Sequence, residues 1–149
     1  MKEPVVTDST CLIGLERIGR LDILPALFDP ILMPPEVARE FGSTLPWLQT
    51  EALTSNLLVA VLRLLVDAGE AEAIALASEK GCRLISDDKQ ARAVAKRLGV
   101  AMIGTAGILV RAKQEGVITE IKPILDDLEI NSFFISAALR AEALRLTGE

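Results

Sequence analysis

Residues 83–105 read RLISDDKQARAVAKRLGVAMIGT, and this segment carries a strand–helix–strand pattern. The short apolar run 83–85 predicts a buried strand. Segment 89–98 predicts a helix, because its apolar residues recur at helical spacing and Gly99 is placed to end it. Segment 100–103 then predicts a second strand. Two strands joined by a helix form a parallel, right-handed βαβ unit.

The same alternation extends along the rest of the chain. Further strands are predicted at 5–7, 31–33 and 49–53. Helices are predicted at about 10–18, 21–28, 35–42, 57–66, 70–80, 105–114, 121–128 and 136–146, with Asp29-Pro30 as a turn. The pattern predicts a three-layer α/β/α fold, in which a parallel sheet of about five strands carries helices on both faces. We expect one domain over residues 1–149.

The composition narrows the possible chemistry. The chain has 149 residues, of which half are apolar, and it contains no His and no Tyr. This excludes Ser-His-Asp and Cys-His catalysis and zinc sites built on His. The net charge of −5 argues against a protein that binds nucleic acid through a broad basic face, but it does not exclude a nuclease. Without a signal-peptide pattern or a membrane-length apolar run, we expect a cytoplasmic protein.

Six carboxylates lie where predicted strands or helices begin or end, namely Asp8, Glu40, Glu70, Glu72, Asp87 and Asp88. In α/β folds, ligand sites gather at the carboxyl ends of parallel strands. Acids that meet there repel one another unless a cation lies between them. Oxygen-only ligand sets suit Mg²⁺ or Mn²⁺. The sequence therefore predicts a divalent-metal site.

An ordinary structural role is the alternative for Asp8 and also for Glu36, which neighbours Glu40 on its helix. Asp8 is a good N-cap for the following helix, but Ser9 or Thr10 can supply that cap, which leaves Asp8 for the site. Glu36 and Glu40 share a helix face. Glu36 lies in the first turn, where the helix dipole already favours a carboxylate, so we choose Glu40.

The remaining acids come in two close pairs. Glu70 and Glu72 lie in one helical turn and point to different sides, and we favour Glu72, with Glu70 in reserve. Asp87 and Asp88 follow a strand directly. Either can cap the next helix, and we favour Asp88 as catalytic, with Asp87 as a further metal ligand. Candidates for second-layer or phosphate contacts are Ser9, Glu70, Ser86, Lys89, Arg92 and Thr105.

Five segments in this order resemble the PIN-domain family, of which VapC-type toxin ribonucleases are members. They are 5–9 (VVTDS), 34–40 (PPEVARE), 69–77 (GEAEAIALA), 86–92 (SDDKQAR) and 102–109 (MIGTAGIL). The resemblance covers essentially the whole chain, and its specificity lies in the order and spacing of the five segments. It is greatest to a little-studied prokaryotic branch of the family.

The resemblance implies a Mg²⁺- or Mn²⁺-dependent endoribonuclease that hydrolyses single-stranded RNA. It also implies a homodimer and a cognate antitoxin protein. The family's four acids fall on Asp8, Glu40, Glu72 and Asp88. The third of these is usually Asp, so Glu72 departs from the common pattern and leaves the number of metal ions open.

Two other functions fit the same fold pattern. The first is a catalytically silent interaction module, since one fold hosts many functions. Its partner surface is the apolar segment 57–66, although we expect that segment to form a buried core helix. The second is a phosphoryl-accepting signalling domain. That function needs a Lys after the last strand, where this chain has Gly104 and Thr105.

Overall fold

The structure is a computed structural model, and it describes residues 2–149. Its centre is a five-stranded sheet formed by β1 (Glu3–Thr7), β2 (Phe28–Met33), β3 (Leu48–Thr50), β4 (Arg83–Ile85) and β5 (Met102–Ile103). All strand pairs are parallel, and the spatial order is β3-β2-β1-β4-β5. Strand β1 therefore lies in the middle of the sheet.

Helices connect the strands and cover both faces of the sheet. Within residues 2–149 they are α1 (Ser9–Arg17), α2 (Ile23–Leu27), α3 (Pro35–Phe41), α4 (Asn56–Leu62), α5 (Ala68–Lys80), α6 (Lys89–Arg97), α7 (Thr105–Gln114), α8 (Lys122–Ile130) and α9 (Ala137–Thr147). This is the three-layer α/β/α architecture that the sequence predicts.

The central strands are apolar because both of their faces are buried. Val6 of β1 pairs with Leu32 of β2 on one side and with Leu84 of β4 on the other. All three side chains are almost completely buried. Near-continuous apolar strands are typical of parallel sheets covered on both faces. The parallel arrangement brings the carboxyl ends of β1 and β4 together at one edge of the sheet.

The structure corrects several element boundaries. Asp29-Pro30 lies inside β2, where a turn was expected. Pro30 is tolerated because it falls where the β1–β2 register shifts, and because pairing of β2 with β3 begins only at Ile31. The predicted strand 49–53 is shorter and starts at Leu48, and Gly69 lies inside α5.

The expectation of a buried core helix at 57–66 is wrong. Helix α4 ends at Leu62, which is the buried residue of the helix. Leu57 is 78% exposed and Leu64, just beyond the helix, is 84% exposed. A short helix that is apolar on all sides buries only the side that packs on α5. Among residues 2–149, no helix has the length and apolar character needed to cross a membrane.

Candidate metal and active site

A small acidic pocket lies at the carboxyl end of β1. Its volume is about 90 Å³. It is lined by the first residues of α1 and α5 and by residues of α3. The carboxylates that line it are Asp8, Glu40, Asp67 and Glu70. The structure thus brings acids from three separate segments together, since Asp67 and Glu70 both belong to the start of α5.

Asp8 combines a structural contact with a place in the pocket. Its Oδ1 accepts the backbone N–H of Cys11 at 3.1 Å, so Asp8 itself is the N-cap of α1. The expectation that Ser9 or Thr10 caps this helix is wrong, because α1 already begins at Ser9. The second carboxylate oxygen of Asp8 makes no part of this cap.

Burial raises the pKa of Asp8 to about 7. The negative charges of Asp87 and Glu40 act in the same direction, and the Cys11 N–H and the Ser86 hydroxyl oppose them. The carboxylate is only 4% exposed. Near neutral pH it is therefore poised between its charged and neutral forms, and a cation in the pocket would favour the charged form.

Glu40 reaches the pocket from the last turn of α3. Ser9 donates its hydroxyl to Glu40 Oε1 at 3.4 Å. On its other side Glu40 lies against the backbone of Gly69, where any Cβ would overlap its Oε1. Burial raises the pKa of Glu40, and the charge of Asp67 adds to the effect.

The structure reverses the order of preference between Glu70 and Glu72. Glu70 lines the pocket, whereas Glu72 Oε1 accepts the backbone N–H of Glu36 at 3.0 Å, at the start of α3. The physical reason is helix geometry, because residues two apart on a helix project about 200° apart. The structure therefore places Glu70, and not the expected Glu72, in the pocket.

Glu70 is the most strongly perturbed acid of the pocket. Burial, together with the charges of Asp88, Asp8, Asp67 and Glu40, raises the pKa of Glu70 to about 8. Its Oε2 is buried and has no hydrogen-bond partner within residues 2–149. Burying a carboxylate oxygen without a hydrogen-bond partner costs free energy, so a ligand that contacts this atom would stabilise the pocket.

Asp87 and Asp88 are not among the residues that line the pocket, although the charge of Asp87 raises the pKa of Asp8 and that of Asp88 raises the pKa of Glu70. Both accept hydrogen bonds at helix starts. Asp88 Oδ1 accepts the N–H of Ala91 at 2.8 Å at the start of α6. Asp87 accepts both the N–H of Thr105 at 2.9 Å and its hydroxyl at 2.6 Å, at the start of α7. Both Asp87 oxygens are therefore engaged, which leaves Asp88 with more capacity for a metal ion.

The candidate second-layer residues lie around these acids. Ser86 is buried and accepts the Asp88 N–H at 3.3 Å. Thr105 holds Asp87, as described above. The guanidinium of Arg92 lies beside Gly104, next to Asp87, and Lys89 is the exposed first residue of α6. Neither cation is in an ion pair within the described part of the chain.

Sequence reasoning missed Asp67. It caps α5 by accepting the N–H of Glu70 at 2.9 Å, and it lines the pocket beside Glu40. The available signal was an Asp two residues before Gly69, which is a common N-cap position. Because the helix was predicted to begin at residue 70, Asp67 did not fall at its N-cap position.

The donor set fits a divalent cation. It consists of carboxylate oxygens, one of which is buried without a partner, and two of the acids have pKa values near or above neutrality. Within residues 2–149 no group of three or more acidic or Cys side chains is already arranged to surround an ion. Mg²⁺ usually retains waters and takes one or two carboxylates plus substrate phosphates, so it does not require a closed cage.

Comparison with known families agrees with the fold. The chain matches the family model DUF3368, a PIN domain, over residues 4–149. This protein therefore belongs to the PIN-domain family, as the sequence segments indicated. No curated protein matches the chain. PIN domains are generally nucleases and typically use divalent metals.

Proposed function

We propose that this protein is a divalent-metal-dependent endoribonuclease that hydrolyses phosphodiester bonds of single-stranded RNA. Asp8, Glu40, Glu70 and Asp88 would hold Mg²⁺ or Mn²⁺. The observation that carries the proposal is the buried Oε2 of Glu70, which has no hydrogen-bond partner within residues 2–149 and is surrounded by carboxylates whose charges raise its pKa. A cation bound there would give this oxygen a partner and offset the repulsion between the carboxylates.

The residues of the chain divide the chemistry between them. A bound ion would supply Lewis-acid stabilisation of the phosphate and a lowered pKa for bound water. Because the chain has no His and no Tyr, proton transfer falls to a carboxylate. Asp8 and Glu70, with raised pKa values, are the candidates, since a general base works best with a pKa near the working pH.

The size of the pocket favours a flexible strand as substrate. At about 90 Å³ it admits a phosphate group but no base-paired helix. Single-stranded RNA can extend one phosphate into such a pocket. Lys89 and Arg92 flank the acids and are free of ion pairs within residues 2–149, so they are available to contact neighbouring phosphates.

The proposal includes a biological setting. The resemblance to VapC-type enzymes supports a cytoplasmic toxin of a toxin–antitoxin pair, formed by one domain over residues 1–149. The exposed apolar side chains around α4 support a homodimer or antitoxin surface, since exposed apolar patches mark interaction sites. They are Leu57, Val61, Leu64 and Leu65. The same patch favours the second candidate function, a catalytically silent interaction module.

Cleavage of a labelled RNA separates the two functions. Purified protein is incubated with a 5′-labelled single-stranded RNA and with its duplex, in Mn²⁺ and in EDTA. We expect Mn²⁺-dependent cleavage of the single strand, reduced about 100-fold or more by Asp8→Asn. Asn retains the capping oxygen, so the fold should persist. Asp127→Asn, on the exposed face of α8, is the matched control. Equal cleavage by Asp8→Asn and wild type would assign the activity to a contaminant.

A further inference from the structure

A second cavity lies beside the acidic pocket, between α1 and the loop 131–136 that joins α8 to α9. Its volume is about 300 Å³. Thr10 lines both cavities, and Asp87, which acts on the pKa of Asp8, lines the second one. The two spaces are therefore neighbours, and a strand with a phosphate in the first would bring an adjoining nucleotide to the second.

The loop presents an aromatic ring to this cavity. The chain contains one Trp and four Phe, and Phe134 is 86% exposed. Core packing does not account for a ring in this position, because a Phe side chain left in water does not gain the free energy of burial. Phe134 lines the cavity together with the polar residues Asn131 and Ser132.

The backbone around Phe134 is held in place. The neighbouring ring of Phe133 packs on α1 at Gly14, where a Cβ would come within 2.6 Å of Phe133 Cδ2. The Phe133 N–H donates to the carbonyl of Leu128 at 2.9 Å. Ser132 has a φ of +69°, which is uncommon for a residue other than Gly and ends α8 sharply. These contacts hold the backbone directly before Phe134.

A positively charged side chain also lines this cavity. Arg17, in the last turn of α1, lines it and makes no ion pair within residues 2–149. Proteins bind single-stranded nucleic acid with exposed aromatic rings and with cationic side chains that are free of ion pairs. This cavity has one of each. The ring stacks on a base, and the cation contacts the backbone.

We infer that this cavity binds one unstacked nucleobase of the single-stranded substrate, with Phe134 as the stacking platform and Arg17 at an adjacent phosphate. The inference rests on the proposed function for the identity of the substrate. A volume of about 300 Å³ is at the lower end of small-ligand pockets, which suits a single base. A flat protein partner would use the exposed ring but not the concave, polar-lined space beside it.

Equilibrium binding tests this directly. The probes are fluorescein-labelled octauridylate and octaadenylate, and an abasic ribose-phosphate chain of the same length. Fluorescence anisotropy is measured with Mg²⁺ on an Asp8→Asn background, so that cleavage is suppressed. We expect Phe134→Ala and Phe134→Leu to weaken binding of the two base-containing probes about tenfold and to leave the abasic probe unchanged. Phe134→Trp should restore the base-containing complexes.

Two further variants sharpen the result. Ile130→Ala removes another exposed apolar side chain, 78% exposed and outside the cavity, and should bind as the parent does. Arg17→Ala should weaken all three probes alike and lower the salt slope by about one. Arg97→Ala, at the far end of α6, is its control.

The inference is overturned if Phe134→Ala binds base-containing RNA like its parent, if the abasic probe weakens equally, or if Phe134→Leu retains full affinity. A variant that changes only the oligomeric state in light scattering would also overturn it, and would make the loop a protein interface. Failure of the proposed function has a different signature. In that case Mn²⁺-dependent cleavage is absent or insensitive to Asp8→Asn, while base-dependent binding through Phe134 is unaffected.

Discussion

Glu40 occupies space that Gly69 leaves open, because any Cβ at position 69 would overlap Glu40 Oε1. Gly69 lies in the first turn of α5, and Glu40 lies in the last turn of α3. The absence of one side chain therefore lets the two helices bring Glu40 beside Glu70 in a single pocket.

The first prediction concerns this close approach. Gly69→Ala should displace Glu40 and reduce Mn²⁺-dependent RNA cleavage about 100-fold. Elsewhere in a helix, Gly→Ala adds roughly 0.5–1 kcal/mol of stability. Here that gain should be absent, because the overlap offsets it. Ala68→Gly alters the neighbouring helical position without touching Glu40, and it should cleave RNA normally. Full activity in Gly69→Ala would mean that the position of Glu40 is unimportant.

The second prediction separates the two glutamates of α5. Glu70→Gln should abolish cleavage, since it removes a charge from the pocket, whereas Glu72→Gln should retain it. Glu72 instead accepts the Glu36 N–H at the start of α3 at 3.0 Å, and the Gln amide oxygen can still accept it, so Glu72→Gln should also change stability little. Cleavage rates and urea unfolding of both variants provide the test. Loss of activity in Glu72→Gln alone would reverse the assignment.

The third prediction concerns pH. The ordinary pKa values of Asp8 and Glu70 are 3.8 and 4.5, and in the folded protein they rise to about 7 and about 8. Between these limits the folded protein binds more protons than the unfolded chain, so the free energy of unfolding falls as pH rises. The metal-free protein should therefore melt at a temperature roughly 5–10 °C lower at pH 8.5 than at pH 5.5.

Circular dichroism melts in EDTA measure this difference. The double variant Asp8→Asn/Glu70→Gln should flatten the dependence and melt higher at pH 8.5, because two buried charges are gone. Mg²⁺ or Mn²⁺ should raise the melting temperature of the wild type at pH 8.5 and not that of the double variant. A melting temperature that rises with pH in EDTA would contradict the raised pKa values.

The fourth prediction distinguishes Asp87 from Asp88. Asp87 accepts two hydrogen bonds from Thr105, so Asp87→Ala should destabilise the fold by about 1–2 kcal/mol. Asp88→Asn keeps an oxygen for the Ala91 N–H and should change stability little, while reducing cleavage and metal affinity. Chemical denaturation and cleavage assays on both variants compare the two effects. A stable Asp87→Ala variant would contradict the capping role.

Much of the fold follows from local signals in the sequence. The strand at Arg83–Ile85 and the helix at Thr105–Gln114 have the predicted bounds, because an apolar run and a capping residue mark each boundary. The errors arose where tertiary context decides. Pro30 sits in a strand because the register shifts there, and α4 leaves its apolar side chains in solvent.

The candidate site was predictable only in part. Asp8 and Glu40 could be placed at the pocket because strand ends and a helix face locate them. The rotation of α5 about its own axis decides whether Glu70 or Glu72 faces the pocket. Hydrophobic periodicity does not predict this rotation, because α5 is rich in Ala and buried on nearly all sides. Asp67 depended on the true start of that helix.

The central claim is that Glu70, together with Asp8, holds a divalent cation. Titration of Mn²⁺ into the protein at pH 7.5, followed by the electron paramagnetic resonance signal of free Mn²⁺, measures this without any RNA. We expect wild type and Glu72→Gln to remove the free-ion signal alike, and Glu70→Gln and Asp8→Asn to bind at least about tenfold more weakly. Unchanged Mn²⁺ binding by Glu70→Gln, or its loss in Glu72→Gln alone, would contradict the account.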